Sequence, residues 1–182
     1  SFIVGIKSTK LSSKEKNFLK RYRPWGIILF TRNIKNIQQT QKLTSEIRKI
    51  FNDKKYPILI DQEGGRVNRL KNLISFDNLT SEFFGKKFIK NYLEFTTYYN
   101  LFIDKTSYLL RLIGVNINTC PVLDLKIKGS SNIIGDRSFS RNPKIVSKIG
   151  DICINLFHKN GIGTVIKHIP GHGLAKVDSH YF

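Results

Sequence analysis

Three of the four histidines lie close together in the sequence, at His168, His172 and His180. Asp178 and His180 are two residues apart, so their side chains point to the same side of an extended segment. A carboxylate beside an imidazole fixes the imidazole tautomer and raises its pKa towards the working pH. The pair therefore has the composition of a general acid/base, in which His180 exchanges the proton and Asp178 assists it.

A metal site is the alternative interpretation of the same segment. The spacings His168-x3-His172 and Asp178-x-His180 permit metal binding. The sequence contains no HExxH motif, however, and Pro170 is incompatible with a regular helix at this point. We therefore favour acid/base chemistry and predict neither a metal nor another cofactor.

Other charged side chains gather where short apolar runs of the sequence end. Asp61 follows the run 57–60 and opens a segment that reaches Arg69, Asp124 follows the run 115–118, and Lys167 and His168 end the run 163–167. In parallel α/β folds the carboxyl ends of the strands carry the functional site. Arg32 and Asn33 follow the run 26–30 in the same way. We expect these four groups of residues to converge on one site.

The acidic segment after the third run also has structural interpretations. Asp61 could cap the following segment or form an ion pair with Arg66 or Arg69. Glu63 is as well explained by a structural ion pair as by a functional role. The two glycines at 64 and 65 are typical of a tight turn.

Three further residues have structural interpretations. Arg137 could simply pair with its neighbour Asp136, although an arginine in a loop over a site is well suited to bind substrate oxygens with two parallel hydrogen bonds. For Asp124 we favour a role in holding its loop. His158 falls near a predicted helix end, where it complements the helix dipole.

Strands and helices alternate in the pattern that would position these side chains. The predicted strands are Phe2–Ile6, Gly26–Phe30, Pro57–Ile60, Val115–Asn118 and Gly163–Lys167, which are short and rich in Ile and Val. Four helices are predicted between them. They begin after Ser12, which has capping-box spacing to Glu15, after Asn36, before Phe95 and at Asn142-Pro143.

This alternation predicts an α/β fold with a parallel sheet and right-handed crossovers. Two architectures fit: an open doubly wound sheet, or a (β/α)₈ barrel represented by about five of its βα units. The phosphate-binding patterns GxGxxG and GxxxxGK[ST] do not follow the first strand, which disfavours a nucleotide-binding sheet.

Composition excludes several classes of protein. The 182 residues are 40% apolar, enough for a buried core, and the longest apolar run, Trp25–Phe30, is far below the about 20 residues of a membrane span. The 31 basic and 13 acidic residues give a net charge of +18, but the lysines are scattered rather than striped. We therefore predict no nucleic-acid and no membrane partner. The two cysteines and the lack of a leader pattern indicate a reducing, cytoplasmic setting.

Six segments of the chain together resemble one enzyme family. They are Gly26-Ile-Ile-Leu-Phe-Thr-Arg-Asn33, Asp61-Gln-Glu-Gly-Gly-Arg-Val67, Pro121-Val-Leu-Asp124, Gly135-Asp-Arg-Ser-Phe-Ser140, Lys167-His-Ile-Pro-Gly-His-Gly173 and Asp178-Ser-His180. In this order they resemble the N-terminal barrel domain of family 3 glycoside hydrolases. Within that family the chain is similar to bacterial β-N-acetylhexosaminidases of the NagZ type.

The resemblance implies a (β/α)₈ barrel enzyme that releases terminal β-linked N-acetylglucosamine from cell-wall muropeptides with retention of configuration. It implies that His180 is the general acid/base, assisted by Asp178, in place of the carboxylic acid that most glycosidases use. It also implies five residues that hold the sugar: Asp61, Arg69, Arg137, Lys167 and His168.

The resemblance covers only part of the family's barrel domain. The nucleophilic aspartate of the family lies on a later strand, beyond the end of this chain, so residues 1–182 are expected to form an incomplete barrel domain. The isolated chain is then expected to be unstable and inactive by itself. The alternative is a non-catalytic, degenerate sugar-binding remnant of the same family. A β-glucosidase is a further possibility, against which the Asp178-Ser-His180 segment argues.

Overall fold

The protein is a parallel α/β fold in a computed structural model that describes residues 1–129 and 132–175. Five strands form one sheet: β1 (Ile3–Gly5), β2 (Gly26–Leu29), β3 (Ile58–Ile60), β4 (Ile117–Asn118) and β5 (Gly163–Thr164). Every neighbouring pair is parallel. All five predicted strands are confirmed, each somewhat shorter than its apolar run.

The order of the strands distinguishes the two architectures that the sequence allowed. The sheet runs β1-β2-β3-β4-β5, so each connection moves one strand further in the same direction. A doubly wound sheet reverses its direction at a switch point, whereas a (β/α)₈ barrel does not. The sheet is therefore part of a barrel-type arrangement.

In the described part of the chain, five α-helices connect the strands: α1 (Ser13–Tyr22), α2 (Ile37–Phe51), α3 (Ser81–Lys90), α4 (Tyr92–Leu112) and α5 (Pro143–Lys159). Ser12 and Glu15 form the expected capping box of α1. The Asn36 side chain accepts a hydrogen bond from the Gln39 backbone and caps α2. These local signals act as predicted because they need no distant partner.

Helix α3 is absent from the sequence prediction. Its N-terminus is capped by Thr80, and Asn91 both ends α3 and caps α4, so no loop separates the two helices. Phe84 of α3 lies in an aromatic cluster with Tyr99 and Phe102 of α4, at ring distances of 4.7 and 5.2 Å. This packing holds the short helix against the longer one.

Helix α5 turns a slightly different face to the core from the predicted one. The prediction placed Ile145, Ile149, Ile152 and Leu156 inside. The fully buried residues are Val146, Ile149, Gly150, Cys153 and Phe157, and the other three predicted residues are only partly buried. The face is displaced because two small residues, Gly150 and Cys153, lie at its centre. None of the described helices is long and apolar enough to cross a membrane.

Candidate active site

A cleft of about 400 Å³ opens at the carboxyl ends of β3, β4 and β5. Polar side chains from three connections line it, together with Val67, Ile133 and Val165. These polar residues are Asp61, Glu63, Arg69, Thr119, Arg137, Lys167, His168 and His172. The expected convergence of strand-end residues is therefore present, and all five residues that we predicted to hold a sugar line the same cleft.

Lys167 and Asp61 form the centre of the cleft. The Lys167 ammonium contacts Asp61 Oδ1 at 2.8 Å, Glu63 Oε1 at 2.7 Å and Thr119 Oγ1 at 3.1 Å. The Thr119 hydroxyl in turn donates a hydrogen bond to Asp61 Oδ1. Because Asp61 follows β3, Thr119 follows β4 and Lys167 follows β5, these bonds join three neighbouring strands.

Glu63 and Arg137 form a bidentate ion pair behind Lys167. Arg137 Nε donates to Glu63 Oε2 at 2.8 Å, and a second guanidinium nitrogen donates to Oε1 at 2.9 Å. A third nitrogen of the same guanidinium donates to the Ile133 carbonyl. The Glu63 side chain is only 3% exposed. It lies beneath the cleft surface, so it acts on the side chains above it.

Arg66 organises the loop that carries Arg137. Its guanidinium bonds to Asp136 at 2.9 Å and to the carbonyl oxygens of Asn132, Ile133 and Ile134. Two of the structural interpretations of the sequence are therefore wrong. Asp136 pairs with Arg66 rather than with Arg137, and Arg66 is engaged there rather than with Asp61.

Gln62 anchors the segment that carries Asp61 and Glu63. The Asn118 amide bonds to both the backbone N–H and the carbonyl of Gln62, while Gln62 Oε1 accepts the backbone N–H groups of Arg69 and Leu70. Gly64 makes the turn that follows Glu63. Its φ of 89° is a conformation that favours glycine. The predicted tight turn is confirmed: the Val67 backbone N–H bonds to the Gly64 carbonyl at 3.2 Å, and the Glu63 N–H bonds to the Val67 carbonyl at 3.1 Å.

Asp124 holds the histidine segment that follows β5. Its carboxylate, completely buried, contacts His168 Nδ1 at 2.5 Å and accepts the backbone N–H groups of His168 and His172. The two imidazole rings meet edge to face at 4.7 Å. The favoured loop-holding role of Asp124 is confirmed. The carboxylate has a second effect, because its bond to Nδ1 leaves Nε2 as the His168 nitrogen for a ligand.

Arg69 forms one wall of the cleft. One of its terminal nitrogens lies 3.8 Å from Asp61 Oδ2, and its guanidinium stacks 5.6 Å from the centre of the Phe30 ring. Its Nε is buried without a hydrogen-bond partner among the described residues. Asp61 therefore contacts Arg69 as one of the sequence interpretations allowed, at a separation longer than a hydrogen bond.

Burial and ion pairing act in opposite directions on the cleft residues. Burial by itself raises the pKa values of Asp61 and Glu63, but the positive charges and hydrogen bonds of Lys167, with Arg69 on Asp61 and Arg137 on Glu63, hold both below their ordinary range. Burial lowers the pKa of Lys167, yet neighbouring acidic groups, Glu63 and Asp61 among them, raise it above its ordinary value. These groups are therefore ionised at neutral pH.

The catalytic residues predicted from the sequence, Asp178 and His180, lie outside the described residues. Their roles stay predictions. Within residues 1–129 and 132–175, His, Cys, Asp and Glu side chains form no group of three or more that could hold a metal ion. Sequence reasoning did not select Thr119 for the site and left Glu63 undecided. The only sequence feature that pointed to a role for Glu63 in the site was its position two residues after Asp61.

The cleft combines fixed acceptors and donors that suit a ligand rich in hydroxyl groups. Asp61 Oδ2 can accept hydrogen bonds, because Lys167 and Thr119 contact the other oxygen. Arg137 and Arg69 present N–H groups around it, and His168 presents its Nε2. Such a set of charge-assisted hydrogen bonds, held in place by further bonds beneath it, can orient a sugar ring.

Comparison with known sequences identifies the family. Residues 3–182 match the model of the glycosyl hydrolase family 3 N terminal domain. A β-hexosaminidase of Hydrogenovibrio crunogenus is 36% identical over 178 residues, 98% of this chain and 49% of that protein. One from Thioalkalivibrio sulfidiphilus is 33% identical over 179 residues, 98% of this chain and 50% of that protein. The chain spans about half the length of these relatives.

Solved structures agree with this result. The crystal structure of native NagZ from Neisseria gonorrhoeae is similar with a TM-score of 0.87 and 32% identity, covering 100% of this chain and 52% of that one. A complex of NagZ from the same organism with N-trifluoroacetyl-D-glucosamine gives a TM-score of 0.83 and 30% identity, covering 100% of this chain and 53% of that one. The chain, matched along residues 3–182, thus belongs to glycoside hydrolase family 3.

Proposed function

We propose that the chain is the sugar-binding part of a retaining β-N-acetylhexosaminidase barrel. Its substrate is terminal β-linked N-acetylglucosamine, carried by cell-wall muropeptides during peptidoglycan recycling. The proposal covers residues 1–182 as one incomplete barrel domain, whose nucleophilic aspartate belongs to a later strand of the family's barrel. It also includes a cytoplasmic location.

The convergence of donors and acceptors in the cleft carries this proposal. Asp61 accepts hydrogen bonds from sugar hydroxyls, while Arg69, Arg137 and Lys167 donate to the oxygens of the ring substituents and His168 bonds to the sugar through Nε2. Two relatives of about twice this length are β-hexosaminidases, and a similar solved structure contains an N-acylated glucosamine. The substrate class follows from these relatives together with the polarity of the cleft.

The proposed chemistry assigns the proton transfers to the Asp178–His180 pair. His180 protonates the departing glycosidic oxygen, while the nucleophilic carboxylate attacks the anomeric carbon from the opposite face and forms a glycosyl-enzyme intermediate. His180 then removes a proton from the water that hydrolyses this intermediate, with release of the sugar in its original configuration. Asp178 stabilises the imidazolium form in the first step.

Hydrolysis of a chromogenic sugar by the full-length protein that the gene encodes tests the function. We expect 4-nitrophenyl N-acetyl-β-D-glucosaminide to be cleaved, and much faster than the matching β-D-glucoside. His180→Ala should lower kcat about 100-fold or more, because a positioned general acid contributes at least that factor. Arg137→Ala should raise KM instead, because its guanidinium is assigned to binding.

His158 supplies the control for the loss of a histidine. It lies in the last turn of α5, as expected, and its Nε2 bonds to Thr164 at 2.9 Å outside the cleft lining. His158→Ala should leave kcat and KM near the wild-type values. Faster cleavage of the glucoside would contradict the substrate assignment. Binding of N-acetylglucosamine without turnover by the full-length protein would instead identify a sugar-binding remnant.

A further inference from the structure

Glu63 touches two of the cations that line the cleft without being exposed enough to act on a ligand itself. Its side chain is 3% exposed, against 15% for Arg137 and 13% for Lys167. One carboxylate oxygen bonds to Arg137 alone, and the other is shared between Arg137 and Lys167. Glu63 thus links a residue of the 135–137 turn to a residue that follows β5.

The bonds from Glu63 determine the direction of the Arg137 guanidinium. Two parallel bonds to a carboxylate fix the plane of a guanidinium group, and the third bond, to the Ile133 carbonyl, prevents rotation in that plane. Within the described part of the chain, these contacts use three of the five N–H groups. The others keep one fixed orientation in which to meet a ligand.

Glu63 also balances the charges of the cleft. Among the described residues that line it, Asp61 and Glu63 are the two carboxylates, and Arg69, Arg137 and Lys167 are the three permanent cations. Within this described lining, removal of Glu63 would leave Asp61 as the one carboxylate to face all three cations. With Glu63 present, Lys167 and Thr119 contact only Oδ1 of Asp61, and Oδ2 lies 3.8 Å from Arg69 without another contact among the described residues.

We infer that Glu63 is a positioning residue for the sugar site: it holds Arg137 and Lys167 in the geometry in which they and Asp61 bind the substrate. This inference rests on the proposed function, in which the latter three residues contact the sugar. Glu63 itself acts through Arg137 and Lys167 and touches no reacting atom.

The test is Glu63→Gln in the full-length protein, assayed with 4-nitrophenyl N-acetyl-β-D-glucosaminide. Glutamine has the same shape but carries no charge and presents only one acceptor oxygen. We expect KM to rise about tenfold, the effect of losing one charge-assisted hydrogen bond, with kcat changed much less. If Glu63 only stabilised the fold, the molecules that remain folded would keep the wild-type KM, and only the apparent kcat would fall.

Glu82→Gln is the matched control. Glu82 also bridges two cations, Lys126 at 2.6 Å and Lys86 at 3.3 Å, but lies outside the lining of the cleft. This variant should keep the wild-type KM. An unchanged KM in Glu63→Gln, or an equal rise in both variants, would overturn the inference.

A second measurement is independent of turnover and separates the inference from the proposed function. In ¹⁵N NMR spectra of the wild-type protein, the side-chain Nε–H signal of Arg137 should be sharp and slow to exchange, because two bonds to Glu63 restrain the group. The signal should broaden or disappear in Glu63→Gln. If the wild-type protein cleaves no N-acetylglucosaminide, the proposed function fails, whereas a signal insensitive to Glu63→Gln refutes the positioning role.

Discussion

The Lys167 ammonium group has three protons, and Asp61, Glu63 and Thr119 supply an acceptor for each. A sugar hydroxyl can therefore accept from Lys167 only by replacing one of these acceptors. Asp61 Oδ2 is different, because Arg69 lies 3.8 Å away and leaves room for a donor. We expect Asp61 Oδ2 to make the first contact with a sugar. A sugar oxygen then replaces Thr119, the most distant of the three acceptors, while Asp61 and Glu63 keep Lys167 in place.

The same ion pairs predict how stability depends on pH. Glu63 has a pKa below its ordinary value of 4.5 in the folded protein, so its stabilisation is complete above pH 4.5 and is lost as the pH falls through the lower, folded-state value. Each proton taken up on unfolding changes the free energy of unfolding by about 1.4 kcal/mol per pH unit. Lys167, whose pKa is raised, stabilises fully below its ordinary value of 10.5 and loses this effect only as the pH rises above it.

Urea unfolding followed by circular dichroism between pH 2.5 and 7 checks this prediction. The free energy of unfolding should fall below about pH 4.5, and the fall should be less steep in Glu63→Gln, which lacks the titrating carboxyl. Glu46→Gln, which removes an exposed pair with Lys16, controls for the removal of a glutamate as such. Parallel curves for the wild-type protein and Glu63→Gln would contradict the assignment.

At this scale the sequence predicts which residues gather but not how they pair. Asp61, Arg69, Arg137, Lys167 and His168 were recognisable because each follows a strand or belongs to a family motif. The partner of Arg137 was not recognisable, because Glu63 is 74 residues away along the chain and the adjacent Asp136 offered a simpler pair. Pairing across strands depends on strand order and register, which appear only in the folded structure.

At the scale of elements, two glycines in helix interiors have opposite surroundings. A Cβ added to Gly85 of α3 would overlap the backbone carbonyl of Phe139, which cannot move without displacing the segment after Arg137. A Cβ added to Gly150 of α5 would approach a methyl group of Leu123, at the end of a flexible side chain. Gly85 therefore allows a close approach between α3 and the loop that carries Arg137.

These surroundings predict opposite responses to alanine. Alanine in a helix interior is normally favoured over glycine by about 1 kcal/mol. Gly85→Ala should nevertheless lower the free energy of unfolding by about 1–3 kcal/mol, because overpacking against backbone outweighs that gain. Gly150→Ala should keep or slightly raise it, because Leu123 can rotate into the neighbouring 280 Å³ cavity that it lines.

The measurement is the melting temperature of Gly85→Ala, Gly150→Ala and the wild-type protein under the same conditions. Equal melting temperatures for Gly85→Ala and Gly150→Ala would contradict the prediction, because they would show that the Phe139 backbone moves aside for the added methyl group at little cost.

Element prediction succeeded where the signal is local. The five strands follow from dense Ile and Val runs, and α1 and α2 follow from their caps. Helix α3 was missed because Gly85 interrupts its pattern and because Asn91 joins it to α4 without a loop. The buried face of α5 differs from the predicted one because Gly150 and Cys153 lie on it. These small residues pack closely against Leu123 and Tyr99, but they are not hydrophobic enough to add to the periodic pattern of the sequence.

At the scale of the whole molecule, the outer strands of the sheet are partly open. Among the described residues, β1 pairs with β2 alone and β5 with β4 alone. Large apolar side chains are exposed at or beside these strands: Phe2 and Ile3 near β1, and Val165 and Ile166 after β5. An open strand with apolar neighbours is a template for pairing with another chain.

We therefore predict that these 182 residues, expressed by themselves, associate in solution and do not hydrolyse the chromogenic sugar. Sedimentation velocity should show species larger than the 21.0 kDa monomer that increase with concentration. Lysine at both edges, in the double variant Ile3→Lys/Ile166→Lys, should reduce this association, because a charged edge disfavours strand pairing.

Leu101→Lys is the control for general apolar association. Leu101 is an exposed residue of α4, away from both edges, so this variant should associate as the wild-type chain does. A chain that stays monomeric at every concentration, or one rescued equally by Leu101→Lys, would contradict association through the strand edges.

The pairs that build the cleft join residues far apart in the sequence. Lys167 and Asp61 are separated by 106 positions, and Arg137 and Glu63 by 74. Contacts that close such long loops form slowly, because the entropy of closure is lost before the contact is gained. During folding we therefore expect the capped helices to appear early and the cleft to assemble late. Sugar binding then reports that β3, β4 and β5 have all reached their final register.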